Sequence, residues 1–408
     1  MLRRRGVTLV RVDPEEKRRL REGALDVKRE LLEEAREYSD GNLGWVSLSA
    51  FDSDAVLVGA DRDLYSGQLG ISLFFAAAAA CTDDQHARET VSRIVDPWMR
   101  FPVSDLRFEH LGAMVGAGSF VYSFTKLYEL LGEERYLDRA LEVATELSVE
   151  DVHEDDRYDV NHGCAGLALA LVSLLEHEST EHGRVLARRC GDHLIEAGIH
   201  HEAGELAWTT AEDYPTTGFA HGTSGIAYAL YALGNLTGIS RFENRARDAI
   251  RFEGGLTDTD DRRWKKGPSD VGTEHPQGWC WGDPGIGLSR LAALEFDDED
   301  VLREDAESGV EVAREVTMAD DCLCHGTYGN VDVLLEAGRR LDTKYLTDAL
   351  TQATGGLDER KARGHFRFPL SRTASFAHPS LMRGKAGIGY TLLRLAHPET
   401  LPSVLLLE

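Results

Sequence analysis

Apolar residues recur along the chain in long runs, and each run follows two glycines spaced Gly-x-x-Gly. Six such pairs begin at Gly67, Gly163, Gly222, Gly282, Gly326 and Gly384, and a weaker copy has Val115 in the place of the first glycine and Gly118 in that of the second. The first positions lie from 44 residues apart (Gly282 to Gly326) to 60 residues apart (Gly222 to Gly282). Seven copies at such periods indicate a solenoid or a closed ring.

Each copy has the composition of a tight turn followed by a buried helix. Glycine lets the backbone turn sharply and approach a neighbour closely. The run that follows is apolar almost all round, as in residues 167–175, which predicts an inner helix. Charged amphipathic segments lie between the copies, such as residues 135–144 and 241–250. They predict outer helices with one solvent-exposed face. We therefore predict an all-α fold: an (α/α) toroid, or double helical barrel, with about seven inner and seven outer helices.

Two segments lie outside this repeat. Residues 1–40 are highly charged, with a helix predicted at 14–39, and we expect them to form an N-terminal helical extension to a single toroidal domain at 41–408. Residues 257–278 are polar and rich in Gly, Pro and Asp, which predicts a long loop leading directly to Cys280. Long loops without secondary structure are often functional.

The charge of the chain limits its partners and suggests its source. The formal net charge is −25, from 45 basic and 70 acidic residues, which argues against nucleic acid as a partner. Only 8 of the basic residues are Lys. This acidic, lysine-poor composition suits a salt-rich cytoplasm and a halophilic source, since salt screens self-repulsion. An acidic mesophilic protein from a GC-rich genome is the alternative.

The sequence also predicts a cytoplasmic protein without membrane insertion. The N-terminus has no apolar stretch of signal-peptide length, and the apolar run at 73–80 is too short to span a bilayer. Six cysteines in 408 residues do not form the pattern of a disulfide framework, which favours a reducing compartment.

Cysteine and histidine stand immediately before two of the glycine pairs. Cys280 precedes Gly282, and Cys324 and His325 precede Gly326, so equivalent repeats would place all three at one level facing the ring centre. Two thiolates and an imidazole suit zinc, and three protein ligands leave the fourth position open, as in catalytic zinc sites. The alternative is that these are ordinary buried thiols. We interpret the other cysteines as structural: Cys81, Cys164, Cys190 and Cys322.

These motifs together resemble the LanC-like lanthionine cyclases. The likeness is greatest to the C-terminal cyclase domain of class II lanthipeptide synthetases (LanM-like) and covers roughly residues 30–408. The phrases that carry it are GFAHG at 218–222, GWCWGDPGIGL at 278–288, CLCHG at 322–326 and PSLMRGKAGIGY at 379–390. The resemblance implies an enzyme that forms thioether rings in a dehydrated precursor peptide.

The resemblance also assigns roles to particular residues. Cys280, Cys324 and His325 match the family's zinc ligands, His221 matches its acid/base histidine, and Asp159 matches a nearby catalytic aspartate. On this basis Zn²⁺ activates a peptide thiol, which adds to dehydroalanine or dehydrobutyrine, and His221 protonates the resulting enolate. Without the resemblance, His221 would be interpreted as a core histidine and Asp159 as a helix N-cap. We interpret His162 as structural.

Three departures from the family pattern keep other functions open. Pro276 stands where stand-alone cyclases have an arginine, and Trp281 replaces the usual His or Tyr. No dehydratase domain is found in the sequence, so we expect a separate dehydratase or a pre-dehydrated substrate, and a truncated remnant of a larger synthetase is an equal alternative. The alternatives are a catalytically degenerate, zinc-stabilised peptide-binding protein and an enzyme that adds glutathione. A glycosidase would need paired carboxylates at the inner helix starts, where Cys and His stand instead.

Overall fold

The computed structural model describes residues 11–51, 54–201, 204–258, 262–268, 275–368 and 376–408. The helices in these segments, in chain order, are α1 (Pro14–Glu34), α2 (Gln68–Thr82), α3 (Gln85–Arg100), α4 (Ala117–Leu131), α5 (Glu134–Glu146), α6 (Val149–His153), α7 (Cys164–Leu175), α8 (Glu181–Ala197), α9 (Thr223–Thr237), α10 (Ser240–Gly254), α11 (Asp283–Ala293), α12 (Asp300–Glu315), α13 (Thr327–Arg340), α14 (Lys344–Arg363) and α15 (Lys385–Ala396). None of these helices combines the length and apolar composition that a membrane span requires.

Short antiparallel hairpins and one 3₁₀ turn complete the described structure. The hairpins pair β1 (Arg36–Glu37) with β2 (Leu43–Gly44), β3 (Val46–Phe51) with β4 (Asp54–Gly59), and β5 (Ile199–His200) with β6 (Leu206–Ala207). The 3₁₀ turn spans Val103–Asp105. All of these elements connect helices and add no layer of their own.

The helices form two concentric rings. The inner ring runs α2, α4, α7, α9, α11, α13 and α15, and α15 packs against α2 to close it. Each inner helix has one outer partner, in the order α3, α5, α8, α10, α12, α14 and α1. Among the described residues this gives seven inner and seven outer helices, so the predicted all-α toroid is confirmed. Inner helices such as α7 are buried almost all round, whereas outer helices such as α5 bury one face.

The outer partner of the last inner helix comes from the other end of the chain. Helix α1 packs along α15 and also touches α14. It ends at Glu34, several residues short of the predicted end at Ser39, because the backbone of Arg36 and Glu37 pairs with β2 instead. Residues 1–10 of the expected extension lie outside the described residues, as do 259–261 and 269–274 of the predicted loop at 257–278.

The loops before the seven inner helices are joined in a closed circuit of backbone hydrogen bonds. Each loop contributes the residue two positions before the glycine that caps its helix, or the residue beside it. The bonds, all 2.9–3.1 Å from nitrogen to oxygen, run from Tyr65 to Met114, Val115 to Asn161, Asn161 to Ala220, Ala220 to Cys280, Trp279 to Cys324, Cys324 to Met382 and Met382 to Tyr65. The circuit holds all seven loops at one level.

The second glycine of each pair is required by a close backbone approach. A Cβ added there would lie 1.9–2.2 Å from the carbonyl oxygen of the residue six positions earlier, at Gly70, Gly166, Gly225, Gly285, Gly329 and Gly387. No side chain fits at such a distance, so the loop could not fold back over its helix. In the weaker copy the helix cap is Gly116, with φ of 124°, rather than Val115.

The C-terminal segment folds back into the barrel. Five apolar side chains are almost fully buried there: Leu401, Val404, Leu405, Leu406 and Leu407. The indole of Trp279 donates a hydrogen bond to the Leu405 carbonyl at 3.1 Å. Since Trp279 adjoins Cys280 in the chain, this segment supports the loop circuit from inside.

We expect Gly225→Ala to destabilise the protein, because its Cβ would meet the Phe219 carbonyl oxygen at 1.9 Å. The cost should be at least about 1–3 kcal/mol, the usual range for overpacking. Gly355→Ala is the matched control, since a Cβ there meets nothing within 4 Å. It should be neutral or stabilising by roughly 0.5–1 kcal/mol. Urea unfolding followed by circular dichroism measures both, and equal stabilities would contradict the steric argument.

Candidate metal centre and acid/base pair

Two thiols and an imidazole converge where the loops before α11 and α13 are adjacent. Cys280 and Cys324 occupy equivalent positions in the loop circuit, and the Trp279 N–H donates to the Cys324 carbonyl between them. One ligand atom from each of Cys280, Cys324 and His325 lies within 4.8 Å of the other two. Cys324 is buried, Cys280 half-buried and His325 exposed, so the group has one side open to solvent.

The two thiols influence each other's ionisation. Contact with the Cys324 thiol, together with His325, holds the pKa of Cys280 well below its usual range. Burial acts in the opposite direction but is outweighed. The same contact with Cys280, together with burial, raises the pKa of Cys324. Of the two thiols, Cys280 therefore loses its proton more readily.

A tyrosine that sequence reasoning missed contacts this pair. The Tyr65 hydroxyl donates to the Cys324 sulfur at 3.1 Å. Tyr65 stands two residues before Gly67, the position that Cys280 and Cys324 occupy in their own repeats. Comparison of this position across the repeats would have identified it as a residue of the ring centre.

Cys322 lies close to the same imidazole but is a poorer ligand. Asp320, Cys322 and His325 form a second group whose ligand atoms lie within 4.8 Å of one another. The Asp320 carboxylate already accepts the Cys322 N–H at 2.6 Å. Burial raises the pKa of the Cys322 thiol well above its usual range, which keeps it protonated.

His221 and Asp159 form a hydrogen-bonded pair beside the thiols. The Nδ1 of His221 lies 2.8 Å from Oδ2 of Asp159. The other carboxylate oxygen accepts the backbone N–H of His162 at 2.6 Å and of Gly163 at 3.2 Å. Asp159 thus orders the loop before α7 and orients His221 at the same time. Burial would raise its pKa, but the hydrogen bonds from His162 and His221 lower it to about 2.

Aromatic rings and a lysine cover one side of His221. The Trp281 ring lies 4.9 Å from the His221 ring, centroid to centroid. The ammonium of Lys266 sits 3.9 Å from the centre of the Trp281 ring and is ion-paired with Glu212. On the other side the His162 ring stacks on His221 at 5.7 Å. The imidazole of His221 therefore lies between two flat neighbours.

Arg383 is a cation at the ring centre that sequence reasoning did not assign. It immediately precedes Gly384, as His325 precedes Gly326 and His221 precedes Gly222. Within the described segments its guanidinium makes no hydrogen bond or ion pair. Burial and then the Arg383 charge lower the pKa of His378 to about 4, and the same charge acts on His325 and Tyr65. Its charge thus acts on His378, His325 and Tyr65, and no ion-pair partner is found for it among the described residues.

Comparison with known proteins shows the family to which the chain belongs. The family model described as lanthionine synthetase C-like protein matches residues 60–406. Nisin cyclase superposes with a TM-score of 0.68 at 17% identity, over 97% of this chain and 98% of that one. The GH76 α-mannanase of Bacteroides thetaiotaomicron reaches 0.50 at 10% identity, over 93% and 95%. At these identities the structural likeness concerns the fold alone. No curated protein sequence matches significantly.

We expect Asp159→Asn to destabilise the protein near neutral pH but not in acid. A folded pKa of about 2 against an ordinary 3.8 corresponds to roughly 2 kcal/mol. Because the folded pKa is depressed, this stability is present above pH ~4 and is lost as the pH falls towards 2. Urea unfolding of both proteins at pH 7 and at pH 2.5 measures the difference.

The exposed Asp358 provides the control: Asp358→Asn should change the unfolding free energy by less than about 0.5 kcal/mol. If the difference in unfolding free energy between wild type and Asp159→Asn stays constant from pH 7 to pH 2.5, the assigned ionisation of Asp159 is contradicted.

Proposed function

The chain belongs to the lanthionine synthetase C-like family, and from this we propose that it is a zinc-dependent lanthionine cyclase. It adds cysteine thiols of a peptide to dehydroalanine or dehydrobutyrine in the same peptide, forming thioether rings. The observation that carries the proposal is the placement of the Cys280, Cys324 and His325 donors beside the His221–Asp159 pair. Thiol activation and proton delivery are the two functions that this addition requires.

The donor chemistry supports zinc as the cofactor. Two sulfurs and one imidazole nitrogen are typical zinc ligands, and a three-ligand set leaves a position for substrate. The depressed pKa of Cys280 provides one thiolate before any metal binds. Zinc held by Cys280, Cys324 and His325 would lower the pKa of a substrate thiol and keep it as thiolate. The Tyr65 hydroxyl hydrogen-bonds Cys324 and so fixes the orientation of one ligand.

His221 is placed to complete the addition. The substrate sulfur forms a bond to the β-carbon, and the π electrons of the C=C bond move to the carbonyl, which gives an enolate. The α-carbon then takes a proton. Because Nδ1 of His221 is held by Asp159, the proton is given from Nε2. The ionised Asp159 carboxylate stabilises the imidazolium before transfer and holds the ring in place after it.

We assign stabilisation of the enolate oxygen to Arg383. Pro276, at the position of the expected arginine, carries no charge, and its carbonyl accepts the Asp283 N–H. Lys266 is the other cation nearby, but Glu212 and the Trp281 ring already occupy its ammonium. Arg383 has no such partner in the described part of the chain. A preorganised cation directed at developing negative charge is an effective source of catalysis.

The remaining features of the proposal concern the setting of the enzyme. We propose that residues 41–408 form one cyclase domain on which α1 packs, that the substrate is a dehydrated precursor peptide supplied by a separate dehydratase, and that the protein acts in the cytoplasm. The acidic composition supports a halophilic source. Purification in high salt is therefore the starting condition for each assay below.

We expect substitution of a ligand residue and substitution of the acid/base residue to have different effects. Cys280→Ala and Cys324→Ala should lose zinc and cyclisation together, because each removes a thiolate donor. His221→Ala should keep zinc and lose cyclisation by roughly 10²–10⁴-fold. Zinc content by atomic absorption and ring formation by mass spectrometry measure the two properties. Cys81→Ala, which removes a thiol far from the ring centre, should change neither. Loss of zinc from His221→Ala would contradict the division of roles.

Arg383→Gln should lower the turnover number by about 10²–10³-fold, the usual loss for one donor to an oxyanion. Zinc content should not change, because Arg383 is not a ligand. Lys266→Met is the matched control and should keep most of the activity. Added guanidinium should partly restore Arg383→Ala but not His221→Ala. Full activity of Arg383→Gln would exclude this role for Arg383. It would not contradict the roles proposed for the metal centre and for His221.

A further inference from the structure

Three donor side chains form a second cluster, separate from the cysteines. Asp159, His162 and His221 each offer a ligand atom within 4.8 Å of the other two. The Nδ1 of His221 lies 2.8 Å and the Nδ1 of His162 lies 3.9 Å from the same carboxylate oxygen, Oδ2 of Asp159. Two imidazole nitrogens and a carboxylate oxygen thus surround one point.

The cluster is reachable from solvent. The side chain of His162 is 32% exposed and that of His221 is 15% exposed, whereas Asp159 is buried beneath them. The His162 and His221 rings are nearly parallel, with an angle of 26° between their planes. The exposed His162 ring therefore gives an ion access to the cluster.

Asn161 supplies an unsatisfied oxygen at the same place. Its side chain is 5% exposed, and its Nδ2 lies 3.4 Å from both Nδ1 of His162 and Nε2 of His221. Its Oδ1 is buried and has no hydrogen-bond partner in the described part of the chain. Such an orphaned acceptor is rare in folded proteins. Rotation of the amide by 180° exchanges the two atoms and turns Oδ1 towards the imidazoles.

The other groups of donors in the described residues do not offer a free site. In the group of Asp155, Cys164 and His193, the His193 Nε2 already bonds the Asp155 backbone carbonyl at 2.8 Å. Cys164 and His193 are both buried, and burial raises the pKa of the Cys164 thiol well above its usual range, which keeps it protonated. The group around Asp320 shares His325 with the proposed zinc centre.

We propose that Asp159, His162 and His221 form a second, weaker site for a divalent transition-metal cation, with the Asn161 amide oxygen as a further donor. Its nitrogen and oxygen donors suit Zn²⁺, Co²⁺, Ni²⁺ and Cu²⁺ and contain no thiolate. Binding is weaker than at the cysteines because the cation must displace the His221–Asp159 hydrogen bond.

The site has a regulatory consequence, which rests on the proposed function. A cation bound there takes the imidazole lone pair of His221 and the carboxylate that orients it. The enzyme then keeps its first zinc, but with Nδ1 occupied His221 cannot become the imidazolium that gives its Nε2 proton to the enolate. Excess zinc therefore inhibits the cyclase through His162, a residue that transfers no proton in the addition.

Cobalt titration tests the site without any peptide substrate. Protein already carrying one zinc is titrated with Co²⁺, and absorption spectra distinguish sulfur from nitrogen and oxygen ligands. We expect one further equivalent with weak d–d bands and no thiolate-to-cobalt charge-transfer band. His162→Gln should lose this equivalent and keep the first zinc. His110→Gln is the control, because His110 contacts the His162 ring edge at 5.0 Å but is not a donor.

Three outcomes of the cobalt titration would contradict the proposed site. No second equivalent in the wild type, a second equivalent kept by His162→Gln, or a charge-transfer band would overturn it. Asn161→Leu is the second variant if His162→Gln does not fold, and it should weaken binding of the second cobalt at least several-fold.

Cyclisation assays with excess Zn²⁺ then test the consequence. The probe is a synthetic peptide with one cysteine and one dehydroalanine. Wild type should be inhibited and His162→Gln should resist inhibition. A zinc-loaded wild type that never cyclises this peptide would count against the proposed function, whereas the cobalt titration would still decide the site.

Discussion

Seven loops joined by backbone hydrogen bonds determine where every functional side chain stands. The circuit needs no particular side chain, only glycines that let each loop fold back over its own helix. It therefore leaves two positions per repeat free to vary. The residue two before the cap is Tyr65, Asn161, Cys280 or Cys324 in different repeats, and the next residue is His162, His221, His325 or Arg383. The same scaffold therefore carries different functional side chains in different repeats.

The inner ring also buries charged residues that tie neighbouring helices together. Arg290 of α11 is fully buried and bonds Glu253 of α10 at 2.6 Å. Arg394 of α15 bonds Asp332 of α13 at 2.6 Å and is likewise buried. Such pairs add little net stability once desolvation is counted, whereas loss of one partner leaves an uncompensated buried charge. In the loops, hydrogen bonds from His162 and His221 outweigh the effect of burial and keep Asp159 ionised and beside His221.

Much of this organisation could be predicted from the sequence because each repeat contains a glycine pair followed by an apolar run. The inner helices, the toroid and the meeting of Cys280 with Cys324 and His325 all depend on that local signal. The role of α1 could not be predicted in this way, since its partner α15 lies at the other end of the chain and ring closure leaves no local pattern. Tyr65, Asn161 and Arg383 were missed because the central positions differ in residue type, so their equivalence shows only in their fixed offset from the glycines, which the three-dimensional circuit explains.

The central claim is that Cys280, Cys324 and His325 hold a zinc ion with one position open to substrate. X-ray absorption at the zinc edge of the purified full chain tests it most directly. The account requires two sulfur neighbours at about 2.3 Å and one imidazole nitrogen at about 2.0–2.1 Å, with one further light atom. A shell of four sulfurs, a shell without sulfur, or folded protein that takes up no zinc would contradict it.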